Sequence, residues 1–313
     1  MPKPHPVTEE APLDMPSPPD CLRALLGDGR LLLLPCCFDA LSARLIEQAG
    51  FSATFMSGFA VSASRLALPD TGLISFGEMA EQGRGICRAV RIPVIGDGDT
   101  GYGNAINVKR TVREYAAAGF AAVMIEDQVA PKRCGHTRGK QVVDREEAVM
   151  RIRAACDARD EGSDILILAR TDSRATHGLD EALERAHAFS ALGADLLFVE
   201  APLDEGEMAT ICREVPGRHL ANVLAGGRTP VLSPDRLQEL GFAMAAYPLV
   251  LLSAAIGAMQ RALAALAAGE MPRQEMPDFA ELRALLGFEA YDAEAERYAQ
   301  SIERNGPGNF GGG

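Results

Sequence analysis

Two aspartates two residues apart, Asp97 and Asp99, sit in GDGDTGYGN (96–104), and Glu126 follows an apolar run in IEDQ (125–128). Carboxylate oxygens select a hard ion, magnesium or manganese, over zinc. Residues two apart on an extended segment share a direction, so both aspartates are expected to face one point. A lone DGD reads more readily as a solvated turn. Glu126 shifts the reading toward a metal, bound directly or through an ordered water, since magnesium keeps several waters. Cys134 follows in PKRCGH (131–136), beside Lys132 and Arg133. Neighbouring cations favour a thiolate and so tune a thiol for proton transfer. His136 fits a loop hydrogen bond as well as a role in orienting substrate. Asp70, in LALPDTG, is either a turn former or a site carboxylate.

Short apolar runs at 31–35, 53–56, 92–96, 121–125, 165–169, 195–199, 220–223 and 242–247 are expected to place these groups. Each is apolar on consecutive positions and too short for a helix, as a strand covered on both faces requires. Helical patterns follow at 40–49, 76–89, 108–118, 145–160, 179–192, 205–213, 233–240 and 253–268. Eight strand–helix units predict an α/β fold of the (β/α)8 TIM-type barrel class, with an open doubly wound sheet as the alternative. Two extra C-terminal helices are expected at 279–286 and 291–300. The recurrence Ala49-Gly50-Phe51, Ala118-Gly119-Phe120, Leu240-Gly241-Phe242 marks helix ends, with glycine in a left-handed cap. Chemistry in such barrels gathers at the carboxyl ends of the strands. There the chain places Ser57 and Gly58, Asp97 and Asp99, Glu126 and Asp127, Arg170, Glu200 and Asn222. Arg170, closing ILILAR, needs an anion, either Glu200 or a substrate carboxylate.

The 313 residues suit one barrel domain over 21–304, preceded by a disordered proline-rich arm (1–20) and followed by a glycine-rich tail (305–313). A formal charge of −12 disfavours nucleic acid and leaves room for a small anionic ligand. No apolar run was expected to span a bilayer, and no charged-then-apolar leader opens the chain. Seven scattered cysteines without a CxxC pair fit a reducing cytoplasm; the six other than Cys134 are expected to pack, though Cys36 and Cys37 would lie near the mouth.

Taken together, SGFAVSAS (57–64), LPDTG (68–72), GDGDTGYGN (96–104), IEDQ (125–128), KRCGH (132–136), ARTD (169–172), ANV (221–223) and YPL (247–249) resemble the isocitrate lyase and phosphoenolpyruvate mutase superfamily. KRCGH resembles its lyase branch, whose phosphorus–carbon relatives lack that cysteine. The resemblance implies magnesium-dependent cleavage of a 2-hydroxy dicarboxylate into a 2-oxo acid and a carboxylate. It implies metal on Asp97 and Asp99, with Glu126 and Glu200 ordering metal waters or the substrate hydroxyl. Cys134 would protonate the leaving enediolate. Substrate would be bound by Ser57, Gly58, Phe59, Gly135, His136, Arg170 and Asn222. Assembly as a dimer of dimers, with a terminal helix exchanged, is also implied. Methylisocitrate lyases carry arginines near the positions of Ser253 and Phe279 and a tyrosine where Phe55 stands. The chain therefore looks more like the dimethylmalate lyase and petal death protein branch, which acts on alkyl-substituted malates. Ala225 replaces a glutamate that the family usually has. The runner-up activities are oxaloacetate hydrolysis or decarboxylation and methylisocitrate cleavage. A non-catalytic dicarboxylate-binding barrel stands behind them, and a redox sensor has little support.

Overall fold

The computed structural model describes residues 16–133, 139–272 and 276–305. Eight strands, β1 (Leu32–Cys37), β2 (Thr54–Met56), β3 (Val94–Asp97), β4 (Ala122–Glu126), β5 (Leu166–Thr171), β6 (Leu196–Val199), β7 (His219–Asn222) and β8 (Phe242–Tyr247), run parallel in sequence order. Pairing of Leu32 with Met244 joins β1 to β8 and closes the barrel. The helices are α1 (Pro18–Gly27), α2 (Ala40–Gln48), α3 (Gly58–Leu66), α4 (Phe76–Ala89), α5 (Ala105–Ala118), α6 (Arg145–Asp160) and α7 (Arg174–His177). They continue with α8 (Leu179–Ala191), α9 (Glu205–Glu214), α10 (Pro234–Leu240), α11 (Val250–Ala267), α12 (Phe279–Leu286) and α13 (Phe288–Asn305).

The strands read as unbroken apolar runs because both faces are buried. Leu34, Phe55, Ile95, Met124, Leu168 and Phe198 belong to the cluster filling the barrel. Their neighbours Met56, Val94, Val123, Ile125, Ile167 and Val199 point outward and pack with helix residues such as Ile46, Val112 and Phe189. The glycine caps are where the recurrence placed them. Gly119 ends α5 at φ 98 and Gly241 ends α10 at φ 100, each in the left-handed region that glycine tolerates. Phe120 then stacks on Tyr115 with ring centroids 4.7 Å apart.

Several expectations need correction. Helix α1 starts at Pro18, inside the span expected to be a disordered arm. Two prolines are accepted there because the first helical turn has no internal partner for their missing N–H, and Ser17 accepts from the Asp20 amide. Helix α3 lies where only a motif had been read. The chain also divides into two compact units, residues 16–255 with the whole barrel and a second beginning at Ile256. In the second unit α12 and α13 pack against each other. Finally, α11 is 18 residues with mean hydropathy 1.6, long and apolar enough to cross a membrane by length and composition alone.

Candidate active site

A cavity opens within the barrel unit, and the alternation of the strands explains its lining. Interior residues continue by twos into polar ones: Ile95 to Asp97, Met124 to Glu126, Leu168 to Arg170, Phe198 to Glu200, Leu220 to Asn222 and Phe55 to Ser57. The strand faces that bury the barrel core therefore deliver charge at its carboxyl end. The lining also includes apolar residues, Phe59, Phe198, Leu224 and Leu249 among them.

Asp97 is the best-defined anchor. Its Oδ2 accepts from the Gly58 amide at 3.1 Å, at the N-terminus of α3, and its Oδ1 accepts from the Asp99 amide at 3.0 Å. Tyr115 Oη donates to its carbonyl at 2.7 Å. A Cβ on Gly58 would fall 2.4 Å from Asp97 Oδ2, so the approach requires glycine. The amides of the expected substrate-binding residues Ser57 and Gly58 have partners: Ser57 N–H donates to the Cys37 carbonyl at 3.1 Å and Gly58 N–H to Asp97. Ser57 Oγ caps α3 by accepting from the Ala60 amide at 3.3 Å, which leaves its proton for the cavity.

Asp97 and Asp99 both act on the charge of one ammonium, Lys132. β3 ends at Asp97, and Asp99 adopts φ 49. Asp99 Oδ1 meets Lys132 Nζ at 2.8 Å, and the same ammonium lies 2.6 Å from Asp70 Oδ1. Lys132 is consequently buried among carboxylates. Although burial opposes its charge, Asp99, Asp97, Asp70 and Glu126 hold its pKa well above the ordinary lysine value. Burial, reinforced by Asp97 and Asp70, raises Asp99 to about 6 despite Lys132. Asp70, left open by the sequence, lines the cavity and is 6 % exposed.

Glu126, Arg170, Glu200 and Asn222 are brought together. Arg170 Nε lies 3.3 Å from Glu126 Oε2 and its Nη2 lies 3.1 Å from Glu200 Oε2, while Asn222 Nδ2 donates to Glu200 Oε2 at 3.3 Å. The sequence reading missed the strongest partner. Asp172 takes Arg170 in a bidentate pair at 2.8 and 3.0 Å and also accepts from Lys140 at 2.7 Å. The signal was Asp172 two residues after Arg170 on an inward-facing register; nothing local marked Lys140. Asp127 is structural, accepting from Thr171, the Asp172 amide and Arg185 at 2.6, 2.8 and 2.9 Å. Cys36 lines the cavity, but burial pushes its thiol far up, and burial raises Cys37 to about 12. Neither suits proton transfer at neutral pH. Cys134, Gly135 and His136 lie outside the described residues.

The donor set suits a hard divalent ion. Among the described residues no three carboxylate, thiol or imidazole groups converge closely enough to enclose a metal. Magnesium does not need such a cage; one or two carboxylates plus waters and ligand oxygens suffice. Asp97 and Glu126 line one cavity, and Glu126 Oε1 is buried with no hydrogen-bond partner among the described residues. Burial raises Glu126 well above the carboxylate range, since it outweighs the Arg170 charge. Six buried carboxylates around the site (Asp70, Asp97, Asp99, Glu126, Asp172, Glu200) outnumber its cations, which are buried Lys132, Lys140 and Arg170 together with Arg133 in the cavity lining. A divalent cation would offset that excess.

Residues 22–267 match the family described as phosphoenolpyruvate phosphomutase. The chain is 44% identical over 283 residues to 2,3-dimethylmalate lyase of Eubacterium barkeri, covering 89% of this chain and 97% of that protein. Oxaloacetate acetylhydrolase, solved with the inhibitor 3,3-difluorooxalacetate, superposes with a TM-score of 0.84 at 32% identity over 91% of this chain and 97% of that one. Phosphonopyruvate hydrolase, solved with oxalate and Mg++, gives a TM-score of 0.81 at 31% identity over 91% and 100%. With residues 22–267 matched and relatives aligned over nine-tenths of its length, the chain belongs to the phosphoenolpyruvate mutase/isocitrate lyase superfamily of enzymes.

Proposed function

We propose that this protein is a magnesium-dependent carbon–carbon lyase that cleaves an alkyl-substituted malate into a 2-oxo acid and a carboxylate. The observation that carries this reading is one cavity whose lining is both charged and apolar. Asp97, Glu126 and Arg170 line it together with Phe59, Leu224 and Leu249, and the described cations of its lining are Lys132, Arg133 and Arg170, of which Lys132 is already held by Asp70 and Asp99. The apolar share of that lining, Phe59, Leu224 and Leu249 among it, suits an alkyl group better than a third carboxylate. The likeness to 2,3-dimethylmalate lyase points the same way.

Asp97 would hold the magnesium, with Glu126 reaching it directly or through water. When bound, the ion would supply positive charge for the anion that develops on the substrate. Arg170 and the Ser57 hydroxyl would hold carboxylate oxygens, fixing the substrate. In the cleavage, a proton leaves the C2 hydroxyl and the C2–C3 bond breaks. C2 becomes the ketone of the 2-oxo acid, and the bonding pair passes to C3 and its carboxylate as an enediolate. Cys134 would return a proton to C3, a role supported by its place in KRCGH. Glu126 and Glu200, both against Arg170, would order the hydroxyl or a water.

A panel of 2- and 3-alkyl malates, methylisocitrate and oxaloacetate, with magnesium or with chelator, tests this by product identification. The proposal expects pyruvate or a related 2-oxo acid from the malates only with magnesium. Oxalate plus acetate from oxaloacetate, with no malate cleaved, would establish the hydrolase instead.

A further inference from the structure

Arg170 is gripped along one edge. Its Nε and Nη2 donate to Asp172 at 2.8 and 3.0 Å, and the same two nitrogens face Glu126 and Glu200. Among the described residues Nη1 has no ion-pair or hydrogen-bond partner, and the side chain lines the cavity. The guanidinium carbon lies 5.0 Å from the centroid of the Phe198 ring, which further restricts its plane. Asp172 is itself fixed, because its amide donates to Asp127 Oδ1 at 2.8 Å and Asp127 is held by Arg185 at 2.9 Å.

Three carboxylates around one guanidinium would spend its charge and leave little pull on an anionic ligand. Lys140 alters that balance. Its Nζ lies 2.7 Å from Asp172 Oδ1, the oxygen that also accepts from Arg170 Nη2, and both side chains are buried, at 3 % and 0 % exposure. We propose that Asp172 and Lys140 are positioning residues for Arg170: Asp172 turns its Nη1 edge to the cavity, and Lys140 shares the charge of Asp172 so that Arg170 keeps its attraction for a bound carboxylate. This rests on the reading of Arg170 as a carboxylate-binding group. Neither residue needs to touch the ligand.

The test uses the full chain with magnesium and oxalate as the probe, its Kd measured by calorimetry for Lys140→Met, Asp172→Asn and the double variant, with melting temperatures recorded beside it. Each single variant is expected to weaken oxalate binding about tenfold or more, since displacing a clamp by about 1 Å is enough for such losses. The double variant should be no weaker than the worse single, because both act through the same atoms. A merely structural role lowers the melting temperature and leaves Kd within about twofold, which overturns the proposal, as do additive losses. Should Asp172→Asn fail to fold, Lys140→Met decides alone. Oxalate binding is read without turnover, so a protein that cleaves no malate sinks the lyase reading and leaves this test standing.

Discussion

Gly58→Ala isolates the contact between α3 and Asp97. The added methyl would lie 2.4 Å from Asp97 Oδ2 and 3.0 Å from its carboxyl carbon, where ordinary contact begins at 3.4 Å. The carboxylate must therefore retreat by about 1 Å, which breaks the 3.1 Å bond from the Gly58 amide. Losing a hydrogen bond to a charged group costs about 1.5–3 kcal/mol. Alanine in place of glycine within a helix returns up to about 1 kcal/mol. Folding should consequently change by only about 1–2 kcal/mol. Function should change far more, because a displacement of about 1 Å at a reacting centre costs roughly a hundredfold in rate. The expected variant melts within a few degrees of the parent, loses about a hundredfold in kcat/KM and binds Mg2+ about tenfold more weakly. Melting curves across a Mg2+ titration, with pyruvate release from substituted malates, read all three. A Gly58→Ala protein with parental metal affinity and turnover would refute the placing of Asp97 at the metal.

Cys134→Ser should abolish turnover while leaving the oxalate Kd within about twofold, since it removes the proposed proton donor and not a binding group; substantial residual turnover would remove Cys134 from the mechanism. Because the folded pKa of Asp99 is raised from 3.8 to about 6, the native chain holds that proton more tightly than the unfolded chain. Its contribution to stability is full below about pH 4 and is lost as pH rises through about 6, a change of about 2–3 kcal/mol. Urea unfolding with chelator present should show that fall in the parent and a flatter profile in Asp99→Asn; matching profiles would contradict the assignment. Lys132→Met leaves Asp70 and Asp99 facing each other without their shared cation, and should cost about 3–5 kcal/mol in urea unfolding. Mg2+ should restore part of that loss, and a variant as stable as the parent without metal would show that Lys132 does not balance these carboxylates.

The barrel was legible because its signal is repeated: eight apolar runs with covered faces leave few other ways to bury them. The strand-end residues were legible for the same reason, since Asp97, Glu126, Arg170, Glu200 and Asn222 each continue an inward register. What the sequence could not supply were contacts set by distance in space. Lys140 meets Asp172 across 32 residues and Lys132 meets Asp70 across 62. Ser57 and Gly58 were expected to bind substrate, whereas their amides go to the Cys37 carbonyl and the Asp97 carboxylate. Helix α1 was hidden by prolines that composition assigns to disorder and that a first helical turn accepts.

The central claim is that one cavity binds a divalent cation and a substituted malate and breaks the bond between C2 and C3. Carbon-13 NMR of 2,3-dimethylmalate incubated with the protein and Mg2+ tests it most directly. Pyruvate and propionate should appear in equal amounts, and their formation should stop with chelator or in Asp97→Asn. Unchanged 2,3-dimethylmalate under those conditions, or equal conversion with chelator present, would contradict it.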